Sequence, residues 1–272
     1  MAEPGSDPCG EGECSRSFRF DGGAEASHEI IFQGALGVTL PTILAVIPAR
    51  GGSKRIPRKN ITLFHGKPMM AWPIGMLKSS GLVATILVST DNEEVAEVAR
   101  NIGAEVPFMR PASLSDDYTG TAAVTKHAVD WFVSNRCRPD LILTVYPTAV
   151  FVSADDIKSA VDAIERLNCE MVFSAVEFPS RIQRALFMND DGRVRMAHPE
   201  YYSARSQDLP TAYHDAGQFY LSKTETALAG ASYDVVSSAI LPVPRDTAVD
   251  IDTPEDLEIA ERIFQYRLRG TR

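Results

Sequence analysis

Short apolar runs alternate with amphipathic stretches along most of the chain. Four runs have the length of buried strands: Ile43–Ile47, Thr85–Ser89, Leu141–Val145 and Met171–Val176. The stretches between them carry apolar residues at helical spacing, as from Val124 to Phe132. Strands that alternate with helices in this way form parallel βαβ units with right-handed crossovers. The pattern therefore predicts an α/β fold built on a mostly parallel sheet.

Local signals predict where several elements begin. Thr90–Glu93 has the spacing of a helix capping box, and Ser153–Asp156 is a second N-cap signal. Thr119 or Thr121 is expected to cap the helix that follows. Weaker strand signals occur at three further places: Val106–Met109, Gly217–Leu221 and Val235–Leu241.

The alternation breaks between residues 178 and 196. Short strand-like pieces there flank Asp190-Asp191-Gly192, which is a hairpin turn signal. We expect a small antiparallel excursion from the sheet, which is typical of a lid or a subunit contact. Residues 1–40 differ again, because Gly, Glu, Ser and Asp dominate most of them without helical or strand periodicity. This segment is predicted to be disordered, and residues 41–272 are predicted to form the folded domain.

Composition and charge limit the class of protein. With 44% hydrophobic and 23% charged residues, the 272-residue chain has an ordinary soluble, globular make-up. No apolar run approaches the roughly 18 residues of a membrane span, and no apolar signal-peptide core follows a basic start, so we expect no membrane partner and a cytoplasmic protein. The formal net charge of -9, without a basic stripe, argues against nucleic acid as a partner.

A basic loop stands out against this acidic background. The segment Ala49–Asn60 directly follows the first predicted strand and contains no acid. Gly51 and Gly52 allow its backbone to bend sharply and to approach a ligand closely. A solvated basic turn is the plain alternative, and the loop has neither the P-loop nor the dinucleotide glycine spacing. Its place after a strand favours phosphate binding. Its five cations are Arg50, Lys54, Arg55, Arg58 and Lys59.

Two carboxylates two residues apart form the second chemical feature. In an extended segment, Asp250 and Asp252 point to the same side. Oxygen ligands of this kind suit Mg²⁺, which usually shares its remaining positions with water and substrate phosphates. Alternatively, Asp252 or Thr253 is only the N-cap of the last helix, although that leaves Asp250 unexplained. Beside a phosphate loop, the magnesium interpretation is favoured.

Two polar segments carry weaker signals. Arg205 lies in an irregular stretch and offers a planar fork for a carboxylate or phosphate, and Gln207 follows it. Gln218 and Tyr220 share one face of a predicted strand, which is typical of a site wall. A solvated loop and an ordinary half-exposed strand are the respective alternatives.

Taken together, the motifs resemble those of the cytidylyltransferases that activate nonulosonic, sialic-type sugar acids. They occur in the order of that family and extend from about Ile43 to Phe264. The segments that carry the resemblance are Ala49–Asn60, Gly66–Pro68, Ser89–Asp91, Arg110–Ala112 and Asp250–Asp256.

The resemblance implies a fold and a reaction. The fold is a Rossmann-like nucleotidyltransferase whose antiparallel excursion, residues 178–196, serves dimerisation, so a homodimer is expected. The reaction transfers CMP from CTP to the anomeric hydroxyl of a sugar acid, releases pyrophosphate and supplies glycan or flagellin glycosylation. A catalytically silent nucleotide-binding module is the alternative of another class.

The resemblance also implies site residues. Asp250 and Asp252 are the Mg²⁺ ligands, and they count with Lys54 and Arg205 as the catalytic set. The sugar-binding positions are Tyr146, Arg205, Gln207, Gln218 and Tyr220. The nucleotide-binding positions are Arg50, Gly51, Gly52, Ser53, Lys54, Lys59, Asn60, Arg110 and Thr121.

The sugar is indicated by one departure from the sialic acid pattern. Sialic acid members carry a Gln-Pro-Thr-Ser-Pro-like segment where this chain has Tyr146–Val150. The tyrosine favours the members that use pseudaminic acid. N-acetylneuraminic acid and 3-deoxy-manno-octulosonic acid are the alternative substrates.

Overall fold

A computed structural model describes residues 41–270 of the chain. The segment 1–40, for which disorder is predicted, lies outside the described residues. The strands are β1 (Ile43–Pro48), β2 (Leu63–Phe64), β3 (Lys67–Pro68), β4 (Thr85–Ser89), β5 (Leu141–Val145), β6 (Met171–Glu177), β7 (Leu186–Met188), β8 (Val194–Met196), β9 (Tyr213–Lys223) and β10 (Ser238–Pro242). The helices are α1 (Ala71–Ser80), α2 (Glu93–Asn101), α3 (Thr121–Asn135), α4 (Ala154–Arg166), α5 (Thr224–Ala229) and α6 (Pro254–Gly270). Within residues 41–270, no helix is both long and apolar enough to cross a membrane.

Six strands form the main sheet in the order β10-β6-β9-β5-β1-β4. β1 runs parallel to both β4 and β5, and β10 runs parallel to β6. β9 lies antiparallel between β5 and β6 and so joins two parallel blocks. The predicted α/β fold with a mostly parallel sheet is confirmed, and its reversed strand lies inside the sheet.

Both faces of the sheet are buried at β1, because successive residues of a strand point to opposite sides. Ala45 and Ile47 belong to the apolar cluster that includes residues of α1 and α4. Leu44 and Val46 point the other way and pack in a cluster with α3. This double burial holds the carboxyl end of β1, from which the basic loop leaves, in a fixed position.

One predicted helix cap is confirmed by the structure, and two are corrected. α4 begins with the predicted N-cap, a reciprocal capping box. α2 is capped by the side chain of Asn92 rather than by Thr90. α3 begins after Gly120 without a side-chain cap. The hydroxyl of Thr121 instead forms a hydrogen bond of 2.9 Å with the hydroxyl of Tyr146, a tertiary contact that no local pattern reveals.

The short strand predicted at Val106–Met109 is not formed. Glu105 makes a single bridge to Leu87 in β4. Pro107 has no N–H to donate, which limits further pairing there. The chain then leaves the sheet toward Arg110, whose backbone N–H donates to the carbonyl of Thr90 at 2.7 Å.

The predicted excursion is an antiparallel hairpin of β7 and β8. Register pairs Met188 with Val194 and Leu186 with Met196, so these four side chains share one face. Met188 is 78% exposed and Val194 is 64% exposed. The hairpin therefore presents an apolar face that the described part of the chain leaves uncovered.

Candidate active site

A cleft of about 480 Å³ opens at the edge of the sheet where β1 and β5 end. The basic loop, the segment between α2 and α3, and the turn before α6 each contribute to its wall. Residues far apart in the sequence meet here because parallel strands deliver their carboxyl ends to one edge. The predicted site residues that line it are Arg50, Ser53, Lys54, Lys59, Asn60, Arg110, Thr121, Tyr146 and Asp252.

The basic loop is fixed by two contacts to its backbone. The buried side chain of Asn60 donates to the carbonyl oxygen of Arg50 at 2.8 Å. The N–H of Gly51 donates to the carboxylate of Asp91 at 2.8 Å. A Cβ atom added to Gly51 would lie 2.6 Å from the Cβ of Asn92, which is too close for any other residue. The glycine therefore serves a close approach between the loop and the start of α2.

Arg110 is a buried cation at the cleft wall, with 4% of its side chain exposed. Its guanidinium lies 3.7 Å from the carboxylate of Asp91, an ion pair too long for a hydrogen bond. Nε and Nη2 have no hydrogen-bond partner among the described residues. Burial lowers the pKa of Arg110, an effect that Asp91 opposes. Buried guanidinium donors without partners are costly, so the site suits an anion that would accept from them.

Two cations of the basic loop share one carboxylate. Arg50 Nη1 lies 2.8 Å from Oδ1 of Asp117, and the ammonium of Lys54 binds the other oxygen, Oδ2. Hydrogen bonds from Lys54 and then Arg50 lower the pKa of Asp117 below its ordinary value. Sequence reasoning missed Asp117, although the acidic pair Asp116-Asp117 between Arg110 and Thr121 was a signal.

The carboxylate pair is asymmetric. Asp252 lines the cleft, and its two oxygens accept from Lys59 at 2.8 Å and from Arg55 at 2.6 Å. Asp250 is exposed and does not line the cleft. Partial desolvation raises the pKa of Asp250, and the charge of Asp252 raises it further. Desolvation also acts on Asp252, but Lys59 and Arg55 outweigh it and lower its pKa.

The pair fits a hard divalent cation in its donor chemistry. Mg²⁺ commonly takes one or two carboxylates and completes its shell with water and phosphate oxygens. Both oxygens of Asp252 accept from Lys59 and Arg55, so a cation bound here would share this carboxylate with them or replace them. Among residues 41–270, no group of three or more His, Cys, Asp or Glu side chains could hold a metal by protein ligands alone.

The sugar-side residues predicted from β5 and β9 lie together. The rings of Tyr146 and Tyr220 are 5.7 Å apart between centroids. The hydroxyl of Tyr220 donates to Asp215. Burial is the main cause that raises the pKa of Tyr220, and the neighbouring Tyr146 and Asp215 raise it further. Gln218 is buried, and its amide donates to the carbonyl of Thr247 in the turn before Asp250. Neither Gln218 nor Tyr220 lines the cleft.

Two predicted sugar residues are placed elsewhere. Arg205 and Gln207 belong to a short exposed turn at residues 205–208, between the hairpin and β9. This turn contacts the excursion, because the guanidinium of Arg184 donates to the hydroxyl of Ser206 at 2.9 Å. Neither Arg205 nor Gln207 lines the cleft of its own chain.

Comparisons with known proteins identify relatives of the chain. A family model described as cytidylyltransferase matches residues 44–269. The pseudaminic acid cytidylyltransferase of Campylobacter jejuni is 40% identical over 222 residues, which cover 82% of this chain and 96% of that protein. The CMP-N,N'-diacetyllegionaminic acid synthase of Legionella pneumophila is 30% identical over 230 residues, with 82% and 96% covered.

Solved structures with low sequence identity share the fold. A CMP:2-keto-3-deoxy-manno-octonic acid synthetase complexed with CTP has a TM-score of 0.62 at 14% identity, with 83% of this chain and 99% of that chain covered. The 4-diphosphocytidyl-2C-methyl-D-erythritol synthase of Anaerococcus prevotii has a TM-score of 0.58 at 13% identity, with the same shares covered. The resemblance drawn from the sequence motifs is confirmed, and the chain belongs to the cytidylyltransferase family of nucleotidyltransferases.

Proposed function

We propose that the protein transfers CMP from CTP to the anomeric hydroxyl of a nonulosonic sugar acid, with pseudaminic acid as the substrate. The observation that carries the proposal is one cleft in which Arg50, Lys54, Lys59 and Arg110 converge with Asp252. The cations outnumber the aspartates in the cleft wall although the protein is acidic, and this excess of positive charge suits a strongly anionic ligand. The 40% identity to pseudaminic acid cytidylyltransferase supports the choice of sugar.

The basic loop and Arg110 hold the nucleotide. Arg50, Lys54 and Lys59 bind the phosphates and reduce their mutual repulsion, which positions the α-phosphate for attack. Arg110 donates to the same ligand from a buried position, where a hydrogen bond to an anion is strong. Ser53, Asn60 and Thr121 line the same cleft with neutral polar groups.

Asp250 and Asp252 are the residues that would hold Mg²⁺, because carboxylate oxygens are ligands that this ion prefers. Bound there, Mg²⁺ would offset the charge of the triphosphate and polarise the α-phosphate. Lys59 contributes to the same region, because its ammonium donates both to Asp252 and to the carbonyl of Ile251, each at 2.8 Å.

The chemistry needs no nucleophile from the protein. The anomeric oxygen of the sugar forms a bond to the α-phosphorus, while the bond from the α-phosphorus to the β-bridging oxygen breaks. Pyrophosphate leaves with the bonding electrons, and the hydroxyl proton passes to solvent or to a phosphate oxygen. Lys54 and Lys59 stabilise the charge that grows on the leaving group.

Tyr146 marks the sugar end of the cleft. It lines the cavity, and its ring packs near Tyr220. We assign Gln218 and Tyr220 to the wall behind it, where they hold the strand and the tyrosine in place. Arg205 and Gln207 would reach a sugar through movement of the turn at residues 205–208 or from a second copy of the chain.

We propose a homodimer through the hairpin, and the exposed apolar face of the hairpin supports it. Leu186, Met188 and Val194 are each at least 60% exposed, and Met196 completes the face. Apolar surface of this kind is typical of a protein interface.

The reaction is tested by pyrophosphate release from CTP with a panel of sugar acids. With pseudaminic acid we expect kcat/KM at least about tenfold higher than with N-acetylneuraminic or 3-deoxy-manno-octulosonic acid. A chelator should stop release and excess Mg²⁺ should restore it. Preference for another sugar acid would overturn the substrate, and no release with any of them would leave only a silent nucleotide-binding module.

Replacing Asp252 tests the metal site. We expect Asp252→Ala to lower kcat by about 10²- to 10³-fold, because phosphate charge is no longer balanced in the transition state. Asp130→Ala, which removes an exposed ion pair to Lys126 on α3, is the matched control and should leave kcat unchanged. Circular dichroism checks that both variants are folded. Normal turnover by folded Asp252→Ala would remove Asp252 from the metal site.

Replacing Arg110 tests whether this residue contributes to CTP binding or to the stability of the fold. Arg110→Met keeps most of the buried volume and removes a charge whose Nε and Nη2 donors have no hydrogen-bond partner among the described residues. We expect a free energy of unfolding that is unchanged or up to about 1 kcal/mol higher. CTP affinity should fall by about 10- to 100-fold.

Urea denaturation and CTP titration measure these two effects. The half-exposed Arg100→Met on α2 is the control, and it should change neither quantity. A marked loss of stability with unchanged CTP affinity would show that Arg110 is structural.

Replacing two hairpin residues tests the dimer. Wild-type protein should have twice the chain mass of 29.7 kDa by light scattering. Met188→Asp together with Val194→Asp places two charges on the apolar face and should give monomers. Asn189→Asp adds a charge at the adjacent turn and should remain dimeric. A monomeric wild-type protein contradicts the proposed dimer.

A further inference from the structure

Asp117 uses the same donors that the proposed function assigns to the triphosphate. Its carboxylate pairs with Arg50 at 2.8 Å and with the ammonium of Lys54. All three side chains belong to the cleft wall. Asp117 and a phosphate group therefore cannot both hold these donors in full.

The turn that carries Asp117 has hydrogen bonds of its own, besides one from Arg50 Nη1 to the backbone carbonyl of Asp116 at 3.1 Å. The neighbouring carboxylate of Asp116 accepts from the N–H groups of Tyr118 and Thr119 at 2.9 and 2.7 Å. It also accepts from the hydroxyl of Thr119 at 2.8 Å. Because Asp116 holds the turn, the side chain of Asp117 can leave the two cations while the local backbone stays formed.

The charges decide which anion prevails. Asp117 supplies a single negative charge, and the ion pairs that it forms are accessible to water. The exposed fraction of the side chain is 40% for Asp117 and for Arg50, and 80% for Lys54. Such exposed ion pairs are weak in water. A triphosphate or pyrophosphate carries several charges and prevails when it is present, but it must first displace the carboxylate.

We propose that Asp117 is an internal competitor for Arg50 and Lys54 that weakens the binding of CTP and pyrophosphate. It thereby speeds the departure of pyrophosphate, because the carboxylate takes back the two cations as the leaving group moves away. This role rests on the proposed function of the cleft. It makes Asp117 a residue that tunes phosphate affinity and product release without contact to the reacting atoms.

Binding of inorganic pyrophosphate alone tests the competition without turnover. Asp117→Asn keeps the shape of the side chain and removes its charge. We expect its Kd for pyrophosphate, measured by titration calorimetry, to be about three- to tenfold lower than that of the wild type, as the loss of two exposed ion pairs allows. Stopped-flow measurement should show slower dissociation, and Asp117→Ala should change both quantities in the same direction.

Asp130→Asn is the matched control. It alters the net charge of the protein by the same amount and removes an exposed Asp–Lys pair outside the cleft. Its Kd for pyrophosphate should equal that of the wild type. Weaker or unchanged binding in folded Asp117→Asn would overturn the competitor role and leave the proposed function intact. Failure of the wild type to bind either pyrophosphate or CTP would overturn both.

Discussion

Repulsion among like charges is the constraint on which the cleft depends. Five cationic side chains crowd one edge of the sheet, and the structure faces them with three aspartates. Asp117 pairs with Arg50 and Lys54, Asp252 with Lys59 and Arg55, and Asp91 with Arg110. The aspartates come from three segments that are distant in sequence, so the cluster is stable only when the sheet has brought these segments together.

The three aspartates do not have the same role. Asp91 also accepts from the N–H of Gly51 and thereby ties the loop backbone to the start of α2. Asp252 accepts from both Lys59 and Arg55, so it links the basic loop to the turn before α6. Asp117 is the most exposed of the three and holds no backbone group in the described structure. Its contacts can be exchanged for those of a ligand at the lowest cost.

The reversed strand β9 connects the two ends of the cleft. On one side β9 pairs with β5, and Tyr146 directly follows β5. Tyr220 of β9 lies next to the ring of Tyr146. From the same strand, the buried amide of Gln218 binds the carbonyl of Thr247 just before the carboxylate pair. β9 therefore contacts both Tyr146, which lines the cleft, and the turn that precedes Asp250 and Asp252.

The sequence by itself determined the alternation of strands and helices, the basic loop after β1 and the Asp-x-Asp pair, because each rests on local periodicity or on residue type at short spacing. It also identified the family, since several modest motifs occur in one order. Local patterns misplaced the cap of α2 and predicted a strand that Pro107 limits to a bridge.

Only the tertiary structure decided which cation meets which carboxylate. Burial and ion pairing show how Asp117 and Arg110 contribute to the cleft, and Arg205 and Gln207 lie on an exposed turn between the hairpin and β9 rather than in the cleft of their own chain. The physical reason is that charge pairing and desolvation depend on distances across the fold, whereas sequence patterns report only neighbours along the chain.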